Sequence, residues 1–310
     1  MALISLTGGS GFVGKNLIPY LRKHDFEVST ISRNQLENIS IELLNHTEVL
    51  VHLAGKAHDL KKSSDPDAYY QVNFELTKKL FDAFLKSNVK KFVFISSVKA
   101  CADAVEGVLS EDNRPDPQTD YGRSKLMAEE YIEQQVLPEG KSYFILRPCM
   151  IHGPGNKGNL NLLYQLVEKG VPYPLAAFDN QRSFLSVENL CFVIERLINS
   201  SEDMPSGVFN VADDEALSTR EVVKILGESL NKKAKLWEIP VGLVRMVAKL
   251  GTALSLPLTT ERLQKMTENY VVSNRKIKDI LKIGMPLTAR EGLGITASSF
   301  KGDVKSNGTS

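Results

Sequence analysis

The stretch TGGSGFVG, residues 7–14, follows the short apolar run ALISL at 2–6 and precedes KNLIPYLRK at 15–23. The run reads as a strand buried on both faces, as in a parallel sheet, and the following segment as a helix with apolar residues at helical spacing. Gly8, Gly11 and Gly14 therefore fall on a strand-turn-helix junction. Each has a task there. Gly8 permits the tight turn, Gly11 a close backbone approach to a pyrophosphate, and Gly14 close packing of the helix. The helix N-terminus, with Phe12 and Val13, would present unpaired N–H groups to phosphates. The spacing is GxxGxxG, and no GK[ST] closes the loop, which argues against a P-loop nucleotidase.

The chain has 310 residues, enough for one large or two modest domains. Hydrophobic residues make up 42% and charged residues 24%, as in a globular protein, and the net charge of +1 gives no reason to expect a nucleic-acid surface. The cysteines, Cys101, Cys149 and Cys191, are odd in number and far apart. They predict neither a disulfide framework nor a metal site, and a reducing, cytoplasmic location is expected. There is no secretory leader pattern and no apolar run long enough to span a membrane. The nearest case, IPVGLVRMVAKLGTALSLPL at 239–258, is interrupted by Arg245 and Lys249. It is expected to pack as a helix of a small domain, with a membrane surface or partner groove as the alternative.

Strand-like and helix-like runs alternate through the first half: FEVSTIS, EVLVHLAG, the long amphipathic DAYYQVNFELTKKLFDAFLKSN, KKFVFISS, YGRSKLMAEEYIEQQVL and KSYFILRP. Such alternation predicts an α/β fold with a parallel sheet covered by helices on both faces. Residues 1–150 are expected to form the dinucleotide-binding domain. Residues 151–295 are expected mostly to form a small mixed α/β substrate lobe over the end of the sheet, with late segments returning to the first domain. The polar residues 296–310 are expected to be a disordered tail.

Ligands of open α/β sheets bind beyond the C-terminal strand ends. One predicted strand ends there in Ser96-Ser97, and the next helix carries Tyr121 and Lys125 four residues apart, on one helical face. A tyrosine, with an ordinary pKa near ~10, is a poor base at neutral pH, and a neighbouring ammonium lowers that value. A serine hydroxyl can hold a carbonyl or alcohol oxygen while the tyrosine moves the proton.

Taken together, TGGSGFVG, VHLAG, FVFISSVK, YGRSKLMAE, ILRPCMIHGPG and RSFLSVENL resemble the landmarks of the extended short-chain dehydrogenases/reductases, in the NAD-dependent epimerase/dehydratase group. The resemblance runs from the first strand to the last helices and implies a Rossmann-like fold. It implies Ser97, Tyr121 and Lys125 as the catalytic trio. It places Gly8, Gly11, Phe12, Val13, Gly14, Ser32, Arg33, Leu53, Ala54, Gly55 and Asn73 at the cofactor, and Arg147-Pro148 at the entry to the substrate lobe. GPGNKGNLNLL and FDNQRSFLSVENL further resemble a bacterial branch acting on UDP-N-acetyl sugars in surface-polysaccharide synthesis. That branch includes UDP-glucose 4-epimerase-like proteins and the 4-keto reductases that form UDP-N-acetylquinovosamine. The implied substrate is a UDP-linked amino sugar, with Ser97, Lys99, Asn159 and Arg182 near it. For Arg182 a structural salt bridge is an equal alternative. The assembly considered is a homodimer.

Two departures matter. Only 15 residues separate Arg33 from Val49, where the family usually inserts a further strand, so the sheet is expected to have one strand fewer. The second strand ends in STISRN, with Ser32-Arg33 where NAD-preferring members often carry an acid. Because arginine can pair with a 2′-phosphate, NADP(H) is slightly favoured over NAD(H). Both departures favour net reduction of a UDP-4-keto-6-deoxy-N-acetylhexosamine at C4. The alternatives are a UDP-sugar 4-epimerase holding NAD tightly and, further off, a non-catalytic dinucleotide sensor. A dehydratase is disfavoured because Val98, Lys99 and Ala100 follow Ser97, and Asp103 and Glu106 read as solvated loop charges.

Overall fold

A computed structural model describes residues 3–56, 65–156, 158–254, 256 and 258–306. Six strands form the main sheet: β1 (Leu3–Thr7), β2 (Glu27–Ile31), β3 (Val49–His52), β4 (Lys91–Ile95), β5 (Ser142–Pro148) and β6 (Gly207–Val211). All neighbours pair in parallel, in the order β2-β1-β3-β4-β5-β6. Strands β3 and β4 are buried at every residue, which explains the apolar runs Val49–Val51 and Phe92–Ile95.

This order has no strand outside β2. The chain between Arg33 and Val49 instead forms a short helix, Arg33–Glu37, and a 3₁₀ turn, Ile41–Leu44. Ser32 caps that helix through a capping box with Gln35, so the peptide leaves the sheet edge as soon as β2 ends. The strand order reverses between β1 and β3. Crevices at such switch points hold ligands in doubly wound sheets.

The long helical run predicted at 67–88 is continuous but not uniform. Pro66–Tyr69 and Leu76–Lys86 are α-helical and flank a π-helical stretch, Tyr70–Glu75, that contains Asn73. FLSVENLCFVIERLI is not one amphipathic segment: its start belongs to a strand, Arg182–Ser186, and a helix runs from Val187 to Ile198. That strand joins Met150–His152 and Ala216–Leu217 in a second, three-stranded sheet. Leu160, Tyr164, Phe184, Val222 and Leu226 form a separate apolar core beside it.

The expected tail takes a different form. Ala289–Ser306 is one helix, in which Leu293, Ala297 and Phe300 are buried at i, i+4 and i+7 in that second core. Between these buried positions Ser298 is exposed and Ser299 half-buried, as in an amphipathic helix. Residues 307–310 lie outside the described residues. Among the described residues, no helix is long and apolar enough to cross a membrane.

Candidate active site

The glycine turn is shaped by close approach. Gly8 has φ +72°, and a Cβ there would stand 2.6 Å from the Ala54 nitrogen and 2.8 Å from the Leu53 carbonyl carbon. Glycine is thus required both by conformation and by the backbone leaving β3. Gly11 N donates to Gly8 O at 3.0 Å. A Cβ on Gly14 would meet Gly8 O and Gly9 Cα at 2.6 Å, so the first helix, Phe12–Lys23, packs against the turn itself. Its N-cap is Gly11, without a side-chain cap and without an acid in the first turn. An uncapped helix N-terminus beside a glycine cradle suits a dinucleotide pyrophosphate.

Behind this turn lies a chain of buried polar groups that the sequence did not reveal. Ala54 N donates to Thr7 Oγ1 at 3.1 Å, Thr7 Oγ1 lies 2.7 Å from His52 Nδ1, and His52 Nε2 lies 3.0 Å from Thr77 Oγ1. Thr77 Oγ1 donates its own proton to Asn73 O at 2.7 Å. It must therefore accept from His52 Nε2–H, which leaves Nδ1 to accept from Thr7. Burial, with the charge of Lys125 adding to it, lowers the His52 pKa to about 3, so the ring is neutral as this pattern requires.

Asn73 is fully buried and clamps the loop that leaves β3. Its Oδ1 accepts from Lys56 N at 2.8 Å, and its Nδ2 donates to Lys56 O and Ser124 Oγ, both at 3.1 Å. Gly55 lies under this clamp, where a Cβ would come 3.1 Å from Asn73 Oδ1 and 3.2 Å from Lys125 Nζ. The absence of a side chain at Gly55 is what lets the lysine reach this point.

Ser97 stands just past β4, N-capping the turn Val98–Ala100, where its Oγ accepts from Lys99 N at 3.2 Å. Tyr121 and Lys125 lie on the helix Asp120–Glu133, which Thr119 caps through Gly122 N. A Cβ on Gly122 would stand 2.4 Å from Lys99 O, so glycine lets this helix start against the Ser97 turn. The Ser97 hydroxyl hydrogen-bonds the Tyr121 phenol. Lys125 Nζ donates to Ile95 O at 2.8 Å, at the end of the same strand, and lies 4.7 Å from the Phe94 ring centroid. The three residues are thus gathered at one strand end.

Their electrostatics differ from the expectation. Burial raises the Tyr121 pKa, and the Ser97 hydrogen bond offsets this only in part. Lys125 itself is held down to about 8 by burial, against the pull of Glu129. Desolvation thus dominates at both groups, whereas the spacing led to the expectation of a phenol pKa lowered by the ammonium.

One turn beyond Lys125, Glu129 is fully buried. It accepts from Arg147 Nε on both oxygens, at 3.1 and 3.0 Å, as well as from Arg147 Nη2 and Ser96 Oγ. This pair ties the helix Asp120–Glu133 to β5 and to the residue preceding Ser97. Asp103 is not a solvated loop charge. It accepts from Gln118 N at 2.7 Å and Thr119 N at 3.2 Å, fixing the approach to the helix.

The remaining candidates are more dispersed. Ser32 and Arg33 are exposed at the end of β2. Lys99 Nζ donates to Asp103 O at 2.8 Å and lies 4.3 Å from the Tyr270 ring centroid, and burial lowers its pKa. Arg182 pairs with Glu268 at 3.0 Å and donates to Lys265 O at 2.8 Å, the structural salt bridge weighed from the sequence. The charge of Arg182 adds a smaller lowering to the Lys99 pKa. Asn159 opens the helix Asn159–Glu168.

The chain belongs to the NAD-dependent epimerase/dehydratase family, whose model matches residues 4–212. It is an NAD(P)-dependent enzyme of that family. It is 32% identical over 322 aligned residues to the UDP-glucose 4-epimerase of Vibrio cholerae, covering 96% of this chain and 95% of that protein. It is 29% identical over 259 residues to the N-acetyl-alpha-D-glucosaminyl-diphospho-ditrans,octacis-undecaprenol 4-epimerase of Escherichia coli O157:H7, covering 76% and 75%. MoeE5 in complex with UDP-glucose and NAD is similar in fold, with a TM-score of 0.76 at 21% identity over 97% of this chain and 99% of that one.

Proposed function

We propose that this protein is a nucleotide-sugar 4-epimerase acting on a UDP-linked hexose or N-acetylhexosamine with retained NAD. The observation that carries the reading is the near full-length likeness to a 4-epimerase, joined to the grouping of Ser97, Tyr121 and Lys125 at one strand end. Gly8, Gly11, Phe12, Val13 and Gly14 would hold the pyrophosphate, and Leu53, Ala54, Gly55 and Asn73 would form the adjoining wall of the cofactor site. When bound, the oxidised nicotinamide would supply the hydride acceptor for C4. Ser97 holds the C4 oxygen. Tyr121 takes its proton as the alcohol is oxidised and returns it when the 4-keto sugar, turned over in the site, is reduced on its other face. Lys125 orients the cofactor ribose and favours the phenolate when charged. Lys99, on the turn that Ser97 caps, supplies positive charge for the substrate diphosphate, while Arg182 stays paired with Glu268.

Net reduction of a UDP-4-keto-6-deoxy-N-acetylhexosamine, the first expectation from the sequence, becomes the second reading. It is favoured by the missing strand outside β2, which removes contacts on the adenosine side. The NADP(H) preference read from Arg33 belongs to that second reading. The two readings separate on one preparation. After gel filtration the epimerase carries roughly one NAD(H) per chain and interconverts UDP-glucose or UDP-N-acetylglucosamine with its C4 epimer without added cofactor. A protein that elutes empty and consumes one NADPH per product would establish the reductase.

A further inference from the structure

Tyr121, Lys125 and Glu129 stand at i, i+4 and i+8 on the helix Asp120–Glu133, one turn apart on one face. Each meets one of three consecutive residues where β4 ends. Tyr121 and Ser97 hydrogen-bond through their hydroxyls, Lys125 Nζ donates to Ile95 O at 2.8 Å, and Glu129 Oε1 accepts from Ser96 Oγ. Lys125 is 4% exposed and Glu129 fully buried, so water meets neither charge. A buried ammonium needs an anion near it, and the carbonyl of Ile95 is neutral. Around Lys125 the other titratable groups offer none: His52 on β3 is neutral, and burial keeps Tyr121 protonated. Glu129 alone opposes the burial that lowers the Lys125 pKa. Around Glu129 stand Arg147 on β5, Cys101, which burial keeps a thiol, and Glu133, exposed one turn further along the helix.

We infer that Glu129 is a positioning residue for the proposed reaction: its carboxylate, one turn from Lys125 on the same buried face, keeps that lysine an ammonium. The inference rests on the reading of Ser97, Tyr121 and Lys125 as the reacting groups of the site. Glu129 acts through Lys125, which in that reading orients the cofactor ribose and favours the phenolate. Arg147 then does more than join the helix to β5. Its guanidinium, on both carboxylate oxygens, holds Glu129 ionised where no water does so. Without the carboxylate, Lys125 would be a buried cation with no anion near it and would give up its proton at lower pH. A neutral amine at that position no longer favours the phenolate.

The test replaces the ion pair as a unit, Glu129→Gln with Arg147→Met, which leaves the arginine's charge with no orphan and Ser96 with an acceptor. Beside it stands Arg147→Met alone, which breaks the same tie to β5 but keeps the carboxylate. Turnover of a UDP-sugar is measured against pH in the parent and both variants. The fall in rate on the alkaline side should come about one pH unit or more lower in the double variant, the scale on which a nearby opposite charge moves a buried group. In the single variant it should not come lower. A fall that stays in place in the double variant, or one that moves down equally in both, would overturn the inference. A second readout needs no substrate. Lys125→Met, made in the parent and in the double variant, isolates the lysine's contribution to Tm, which rises with pH from the folded-state pKa upward. That rise should begin at lower pH in the double variant, and a common onset would overturn the inference. A parent that turns over no nucleotide sugar would instead remove the functional reading, and the onset of the Tm rise would still decide whether Glu129 keeps Lys125 charged.

Discussion

At Tyr121 two influences oppose each other: burial keeps the phenol protonated, and the Ser97 hydrogen bond draws its pKa down. Tyr121→Phe keeps the ring in place and removes only the hydroxyl, the proposed proton carrier. It should lower turnover by roughly 10²–10⁴, the usual scale of acid-base catalysis, while cofactor affinity survives. Initial rates followed by NMR, with cofactor binding measured by fluorescence, check both halves. Lys125 makes a separate prediction about stability. Its folded-state pKa of about 8 lies below the ordinary ~10.4 of an unfolded chain. Between these values the unfolded chain binds more protons, so the Lys125 contribution makes the parent more stable as pH rises. Lys125→Met lacks this contribution. The difference in Tm, variant minus parent, should therefore shrink as pH is raised from 7 to 10, and a difference independent of pH would contradict the burial account. The YxxxK spacing was legible as chemistry, but the direction of the Tyr121 shift was not. It depends on how much protein surrounds the phenol, which spacing does not report.

At the scale of elements, two junctions hold the site together. In the glycine turn, Gly8→Ala forces a side chain into a positive-φ residue and against Ala54. The backbone strain alone costs about 1–3 kcal/mol, and the clash adds to it, so both the denaturant midpoint and cofactor affinity should fall. The second junction is the buried Glu129–Arg147 pair. Glu129→Gln leaves Arg147 buried without its counter-charge and should cost about 3–5 kcal/mol in urea unfolding. A loss under 1 kcal/mol would mean that the arginine finds water. The first junction could be read from local sequence because the strand, turn and helix are contiguous. The second could not, because Glu129 and Arg147 meet only when helix and strand dock, and a glutamate at i+4 from a lysine looks like a surface pair. Arg182 meets Glu268 from 86 residues away, so its salt bridge was one of two readings. The last helix was hidden by composition. Its buried stripe of Leu293, Ala297 and Phe300 is sparse among Ser, Gly and Lys.

Across the whole molecule, chain length at one point sets the architecture. Fifteen residues between Arg33 and Val49 leave no room for another sheet crossing, and the six-stranded order ends at β2 as that count requires. The same count is the main support for an exchanging cofactor, whereas the full-length likeness to a 4-epimerase supports a retained one. Carbon-bound hydrogen at C4 decides between them. The purified protein, without added cofactor, is given a UDP-hexose or UDP-N-acetylhexosamine deuterated at C4, and the product is examined by NMR and mass spectrometry. The epimerase account predicts an inverted C4 that keeps its deuterium, because the hydride leaves and returns to the same carbon within one turnover. Absence of C4 inversion, with deuterium instead delivered to a 4-keto sugar from added labelled NADPH or NADH, would contradict it.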